Sequence, residues 1–284
     1  MGREIQGKVT IPGIRARKSS PENIVALTAY DYPTARLLDE AGVDIILVGD
    51  SVGNVMLGHE TTLSVTLEMM LHHTAAVARA HPRALVVGDM PFLSYHTGLP
   101  DAVRNAGRFI QEAGAQAVKV EGGRSRADVV RAIVSAEIPV MGHIGLTPQS
   151  IVTFGGYRVQ GKTIEAVEAL VEDARALEEA GVFAIVIEGV PASVGRLLTS
   201  SVSVPTIGIG AGADCDGQIL VTNDLLGFGD TTPPRFVRRY ADLRATIPEA
   251  VRSFASDVAA GRFPSEKETY PSPPQLEEEL AARR

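Results

Sequence analysis

"EAGVDIILVGDS", Glu40 to Ser51, carries three signals in one short stretch. "EAG" reads as the end of a helix ahead of a strand. "VDIILV" has the length and β-branched composition of a buried strand. The run then stops abruptly on Gly49, Asp50 and Ser51. The same ending recurs as "LVVGDMPF", where Asp89 again follows Val-Gly. The helix-stop, strand-start joint recurs as well, at Glu112 to Gly114 and at Glu179 to Gly181, as in a repeated βα unit.

Outward from this stretch, short β-branched runs alternate with longer segments rich in Ala, Glu, Leu and Arg, the pattern of a parallel sheet with helical crossovers. Strands are expected in "NIVALTAY", "DIILVGDS", "ALVVGDMP", "AVKVEGG", "IPVMGHIG", "FAIVIEGV", "PTIGIGAG" and "QILVTNDLLG". Eight strands suggest an α/β fold, a single (β/α)8 TIM barrel. Helices are expected from Ser64 in "SVTLEMMLHHTAAVARA", from Asp101 in "DAVRNAGRFIQEAGA" and from Thr163 in "TIEAVEALVEDARALEEAG". The expected division is an N-terminal extension over 1–20, the catalytic barrel over 21–262 and a C-terminal tail over 263–284, rich in Pro, Ser and charge. The tail reads either as an exposed, mobile segment or as one that docks on a neighbouring subunit.

Composition narrows the class. At 284 residues and 45 % hydrophobic, the chain can bury a sizeable core. A net charge of −7, with no block of Lys and Arg, argues against nucleic acid as a partner. The single cysteine, Cys215, rules out an internal disulfide framework and fits a reducing compartment. No apolar run approaches the ~20 residues of a membrane span, and the opening "MGREIQGKVTIPGIRARKSS" lacks a signal peptide's apolar core. A cytoplasmic protein without membrane contact is expected.

In a (β/α)8 barrel the residues that follow the strands converge on one mouth, where the active site lies. Here those residues are unusually ionisable: Asp50 and Ser51, Asp89, Lys119 with Glu121, His143, and Glu188. Four acids sharing a mouth repel one another unless a cation or a substrate charge offsets them, and a bound hard divalent ion is the economical solution. Oxygen donors, without a cysteine cluster or histidines paired at helix spacing, favour magnesium over zinc. A 2-oxo acid would fit the open positions of such an ion, which would act as a Lewis acid on the ketone and favour enolate chemistry.

Six stretches, "TAYDYPTARLLDEAGVDIILVGDSVGNVMLGHETTLSVTLEMM", "VGDMPF", "VKVEGG", "VMGHIGLTPQS", "IVIEGVP" and "TIGIGAG" with "CDGQILV", occur in the order found in the ketopantoate hydroxymethyltransferase family. The chain resembles that family from about residue 21 to 270. The resemblance implies a magnesium-dependent barrel that transfers a hydroxymethyl group from 5,10-methylenetetrahydrofolate to 3-methyl-2-oxobutanoate, giving 2-dehydropantoate for pantothenate synthesis. It also implies a large cytoplasmic homo-oligomer, typically a decamer. The family's metal-binding acids fall on Asp50 and Asp89, with Glu121 completing the set directly or through water. Its substrate contacts fall on Asp50, Ser51, Asp89 and Lys119, its proton acceptor on Glu188, and a histidine lining the site on His143.

Each residue also has a plainer reading. Asp50 and Ser51 could cap a turn or helix, Lys119 could simply neutralise Glu121 on the same strand face, Glu188 could be a helix-start acid, and His143 could satisfy a neighbouring carbonyl. The glycines of "GIGAG", Gly208 to Gly212, could cradle phosphate, but close backbone packing is the expected reason for them. His72 and His73 are expected as ordinary helix residues, and Cys215 as a buried one. Two other functions stay open beside hydroxymethyl transfer. One is a magnesium-dependent lyase or mutase acting on another 2-oxo acid, which a cysteine beside the metal would favour. The other is a non-catalytic barrel that senses a keto acid, against which Glu188 argues.

Overall fold

The computed structural model describes residues 7–229 and 233–283. The strands are β1 (Ile24–Thr28), β2 (Ile45–Val48), β3 (Leu85–Asp89), β4 (Ala117–Glu121), β5 (Val140–Gly145), β6 (Ala184–Glu188), β7 (Thr206–Ile209) and β8 (Gly217–Leu220). All pair in parallel with their neighbours, and β8 pairs back to β1, closing the barrel. The eighth strand is shorter than "QILVTNDLLG" suggests, because a helical turn begins at Thr222.

The helices are α1 (Ile11–Ala16), α2 (Tyr32–Glu40), α3 (Val52–Val55), α4 (Leu67–Ala78), α5 (Leu99–Gln111) and α6 (Ala127–Ser135). They are followed by α7 (Ile151–Phe154), α8 (Ile164–Glu179), α9 (Ala192–Ser201), α10 (Thr222–Leu225), α11 (Leu243–Ala259) and α12 (Pro274–Ala281). Thr163 caps α8 as expected, accepting a hydrogen bond from the Ala166 amide. Two helix starts differ. Thr66, not Ser64, caps α4, because Ser64 is spent in a preceding 3-10 turn. Helix α5 begins at Leu99, which leaves Asp101 inside its first turn, paired with Arg104. The three "EAG" joints behave as the repeat predicts: Gly42, Gly114 and Gly181 have φ of 85°, 73° and 98°, values that only glycine adopts without strain.

The alternation along the strands builds two cores. Outward residues such as Ile46, Val86, Val118 and Ile185 pack beneath the helices. Inward residues such as Ile45, Leu85, Ala117, Met141 and Ala184 fill the barrel. Ile14 of α1 joins this inner core, and the Val9 amide donates to Arg83 O just before β3, so α1 closes the end of the barrel where the strands begin. That leaves the opposite end open.

The wall is covered unevenly. Val25 and Gln218, paired in register across β1 and β8, point outward and are exposed. Helix α11 buries none of its residues and displays Ile247, Val251, Phe254 and Val258, a stripe at spacings of four, three and four. The segment after it, including α12, is exposed as well. No helix among the described residues is long and apolar enough to cross a membrane.

Candidate active site

Followed from the closed end toward the open one, the inward positions change character at the last step. On β3 they read Leu85, Val87, Asp89; on β4, Ala117, Lys119, Glu121; on β5, Met141, His143; on β6, Ala184, Val186, Glu188. Period-two geometry therefore sends each ionisable group into the same space as the apolar residues below it. Register sets the neighbours: Asp89 lies beside Lys119, and Glu121 beside His143. All seven residues singled out from the sequence line one cavity of about 380 Å³.

At its centre is the ammonium of Lys119. Its Nζ is 2.8 Å from Asp89 Oδ1, 3.2 Å from Glu121 Oε1 and 3.2 Å from His143 Nδ1. Burial opposes that charge, but Asp89, Glu121 and Asp50 together outweigh it and raise the lysine's pKa, so Lys119 stays protonated. For Glu121, burial is likewise outweighed, here by Lys119 and then His143, and its pKa falls to about 2. Burial and Lys119 oppose protonation of His143, yet the Glu121 and Glu188 carboxylates carry its pKa up to about 9. Its Nε2 is 3.2 Å from Glu188 Oε2.

Asp50 and Asp89 are the strained pair. Burial, then the charges of Asp89 and Glu121, push the Asp50 pKa well above the usual carboxylate range. Burial pushes Asp89 up too, against the pull of Lys119. Carboxylate oxygens of Asp50, Asp89 and Glu121 all come within 4.8 Å of one another. Asp89 Oδ1 makes its ion pair with Lys119 but no well-aligned hydrogen bond among the described residues. Three buried, converging oxygen donors with this unmet demand fit a small hard divalent cation.

The plainer readings separate on geometry. Ser51 stands at the N-terminus of α3 but makes no capping bond; its Oγ pairs instead with the Tyr30 hydroxyl at 2.9 Å. Asp50 caps nothing either, since its Oδ2 accepts from Gln149 Nε2 at 2.9 Å. Glu188 lies ahead of α9, whose first turn holds no acid, and its carboxylate faces His143. Lys119 does pair with Glu121, although its shorter contact is to Asp89.

The sequence reading missed Gln149 and Tyr95. Gln149 donates from its backbone amide to Glu121 Oε2 at 3.0 Å and from its side chain to Asp50, so one residue holds two of the three acids. The Tyr95 hydroxyl donates to Gln149 Oε1 at 2.6 Å, which fixes the orientation of the amide. The only signal was a glutamine in the loop after the fifth strand, and nothing in its spacing set it apart. Cys215 is buried in the loop between β7 and β8 and does not line the cavity. His73 donates from Nδ1 to the Tyr30 carbonyl at 2.7 Å, a structural contact.

Comparison with known proteins agrees with this picture. The family model for ketopantoate hydroxymethyltransferase matches residues 8–266. A 3-methyl-2-oxobutanoate hydroxymethyltransferase of Syntrophomonas wolfei is 57% identical over 93% of this chain and 95% of its own length. The protein of that name from Koribacter versatilis is 53% identical over 98% and 94%. Among solved structures, phosphonopyruvate hydrolase superposes with a TM-score of 0.60 at 15% identity, covering 98% of this chain and 96% of that one, a likeness of fold alone. With a family model spanning nearly its whole length and relatives above half identity, the chain belongs to the ketopantoate hydroxymethyltransferase family, enzymes of the transferase class.

Proposed function

We propose that this chain transfers a hydroxymethyl group from 5,10-methylenetetrahydrofolate to 3-methyl-2-oxobutanoate in the cytoplasm, forming 2-dehydropantoate through an enolate of the keto acid. The supporting observation is the division of the cavity: three acids and a lysine gathered at β2 to β4, and a separate carboxylate, Glu188, on β6. Asp50, Asp89 and Glu121 would hold a magnesium ion, which when bound supplies Lewis acidity to the keto group.

The chain's own groups do the rest. Lys119 keeps a fixed positive charge beside the place where negative charge develops on the enolate oxygen, which favours that state without reorganisation. Glu188 takes the proton from the branched carbon on Oε1, while His143 Nε2 near Oε2 holds the carboxylate in place. Asp50, Ser51, Asp89, Lys119 and His143 surround the keto acid. The one-carbon unit then leaves both folate nitrogens, forming one bond to the enolate carbon and one to the oxygen of a water. The proton taken by Glu188 and one proton of that water end on the two nitrogens, and the other stays on the product hydroxyl. The competing lyase or mutase reading lacks its expected mark, since the chain's one cysteine stands apart from the acids.

The test is deuterium uptake from heavy water into 3-methyl-2-oxobutanoate with folate omitted, with and without magnesium. Magnesium-dependent exchange is expected. Substrate binding without exchange, even with folate supplied, would overturn the reading.

A homo-oligomer, a decamer by family resemblance, is part of the same proposal. The apolar stripe on α11 and the uncovered β1–β8 wall support association of copies. Light scattering is expected to give a multiple of the chain mass, and Phe254→Glu to lower it.

A further inference from the structure

The cavity is larger than the keto acid requires. Its volume of about 380 Å³ falls in the range of pockets that take drug-sized molecules, whereas a five-carbon acid held by the β2–β4 acids fills only part of it. On the other side of the mouth the lining includes Ile209 at the end of β7, Leu220 and Val221 at the end of β8, and Pro234 and Phe236 beyond. Tyr157, from the glycine-rich loop before α8, adds a second aromatic ring.

Among the described residues this largely apolar arc contains one carboxylate, Asp224 of α10. In the ring of strands β8 stands opposite β4, so Asp224 faces the cavity from the side away from Lys119 and Glu121. It is half-buried, and no hydrogen bond to its side chain occurs among the described residues; the charged group nearest in effect is Arg239. One of the "GIGAG" glycines serves this arc. Gly210, at φ 63°, lets the Phe236 ring come so close that an added Cβ would lie 2.8 Å from it. Gly210 thus seats an aromatic wall at the mouth, the close packing expected of this motif.

We propose that Asp224 anchors the reduced pterin ring of the one-carbon donor, with Phe236 and Tyr157 providing its flat apolar surroundings. This rests on the hydroxymethyl-transfer reading above. The pterin's pyrimidine edge presents an N3–H and a 2-amino group side by side, two donors that a carboxylate accepts as a pair. Its ring faces suit aromatic contact. Held from β8, the donor's carbon would reach the keto acid from the side of Glu188 on β6, where the branched carbon loses its proton.

Two readouts on the full-length protein with magnesium separate the possibilities. For Asp224→Asn the KM for methylenetetrahydrofolate is expected to rise about 10- to 100-fold, the loss of a charge-assisted pair. Deuterium exchange into the keto acid without folate should fall far less, since that step does not use the pterin. Unchanged donor KM would overturn the assignment of Asp224, as would an equal loss in both readouts; keto-acid binding without exchange in the unmodified protein, even with folate supplied, would instead overturn the hydroxymethyl-transfer reading. A second probe needs no variant. A 2-desamino-2-methyl analogue of tetrahydrofolate, compared with tetrahydrofolate by calorimetry in the presence of keto acid, is expected to bind more weakly, and equal binding would overturn the proposal.

Discussion

From β2 round to β6 the barrel mouth is crowded with charge, whereas from β7 through β8 to β1 the described lining is largely apolar, with Thr28 and Asp224 as its polar groups. The charged arc is bonded to itself before any ligand arrives: Lys119 joins Asp89 and Glu121, His143 joins Glu121 and Glu188, and Gln149 joins Asp50 and Glu121. Such a network is rigid because leaving any member unpaired in a buried site is costly. The apolar arc has no comparable network and is defined by shape. One arc is thus suited to chemistry on a small polar substrate, and the other to holding a larger flat one.

The sharpest way to break this division is Glu188→Gln. Exchange at the branched carbon is expected to drop about 10²- to 10⁴-fold, as for loss of a positioned base. Magnesium affinity, followed by calorimetry, should stay within a few fold, because Glu188 is outside the triad. Equal loss of both would mean that base and metal site are one unit.

Asp89→Asn should do the reverse. It removes an acid from the triad and the partner 2.8 Å from Lys119. Metal affinity is expected to weaken about 10- to 100-fold, comparable with the loss of supporting groups at other metal sites. An unaltered affinity would remove Asp89 from the ligand set.

Tyr95→Phe is the mildest change. It deletes the hydroxyl that orients Gln149 without emptying the space. A loss of about 1 kcal/mol, or roughly fivefold in metal affinity, is expected from one hydrogen bond removed at a distance. No change would show that Gln149 is held well enough by its bonds to Asp50 and the Met90 carbonyl.

How much of this was readable in advance differs between the arcs. The charged arc was legible because strand ends are marked twice, by the β-branched run and by the abrupt Asp, Lys, His or Glu that follows it. Once eight strands close in parallel, every such residue must meet the others. Gln149 escaped because it lies 99 positions from Asp50 and reaches it only through the path of a loop. Asp224 falls within the stretch expected as the eighth strand, yet it belongs to a helical turn, since the pairing ends at Leu220. Ser64 and Asp101 were plausible caps by type alone; a 3-10 turn and an earlier start at Leu99 decided otherwise.

By itself, then, the sequence determined the barrel, the direction of its strands and the identity of the acids, lysine and histidine at its mouth. These follow from periodicity and strand ends, which are local properties. Only the tertiary structure decided which oxygen meets which nitrogen, how Gln149 and Tyr95 tie the acids together, and that Phe236, seated on Gly210, walls the far side of the cavity. These contacts depend on register and loop paths, and join residues that no short-range pattern connects.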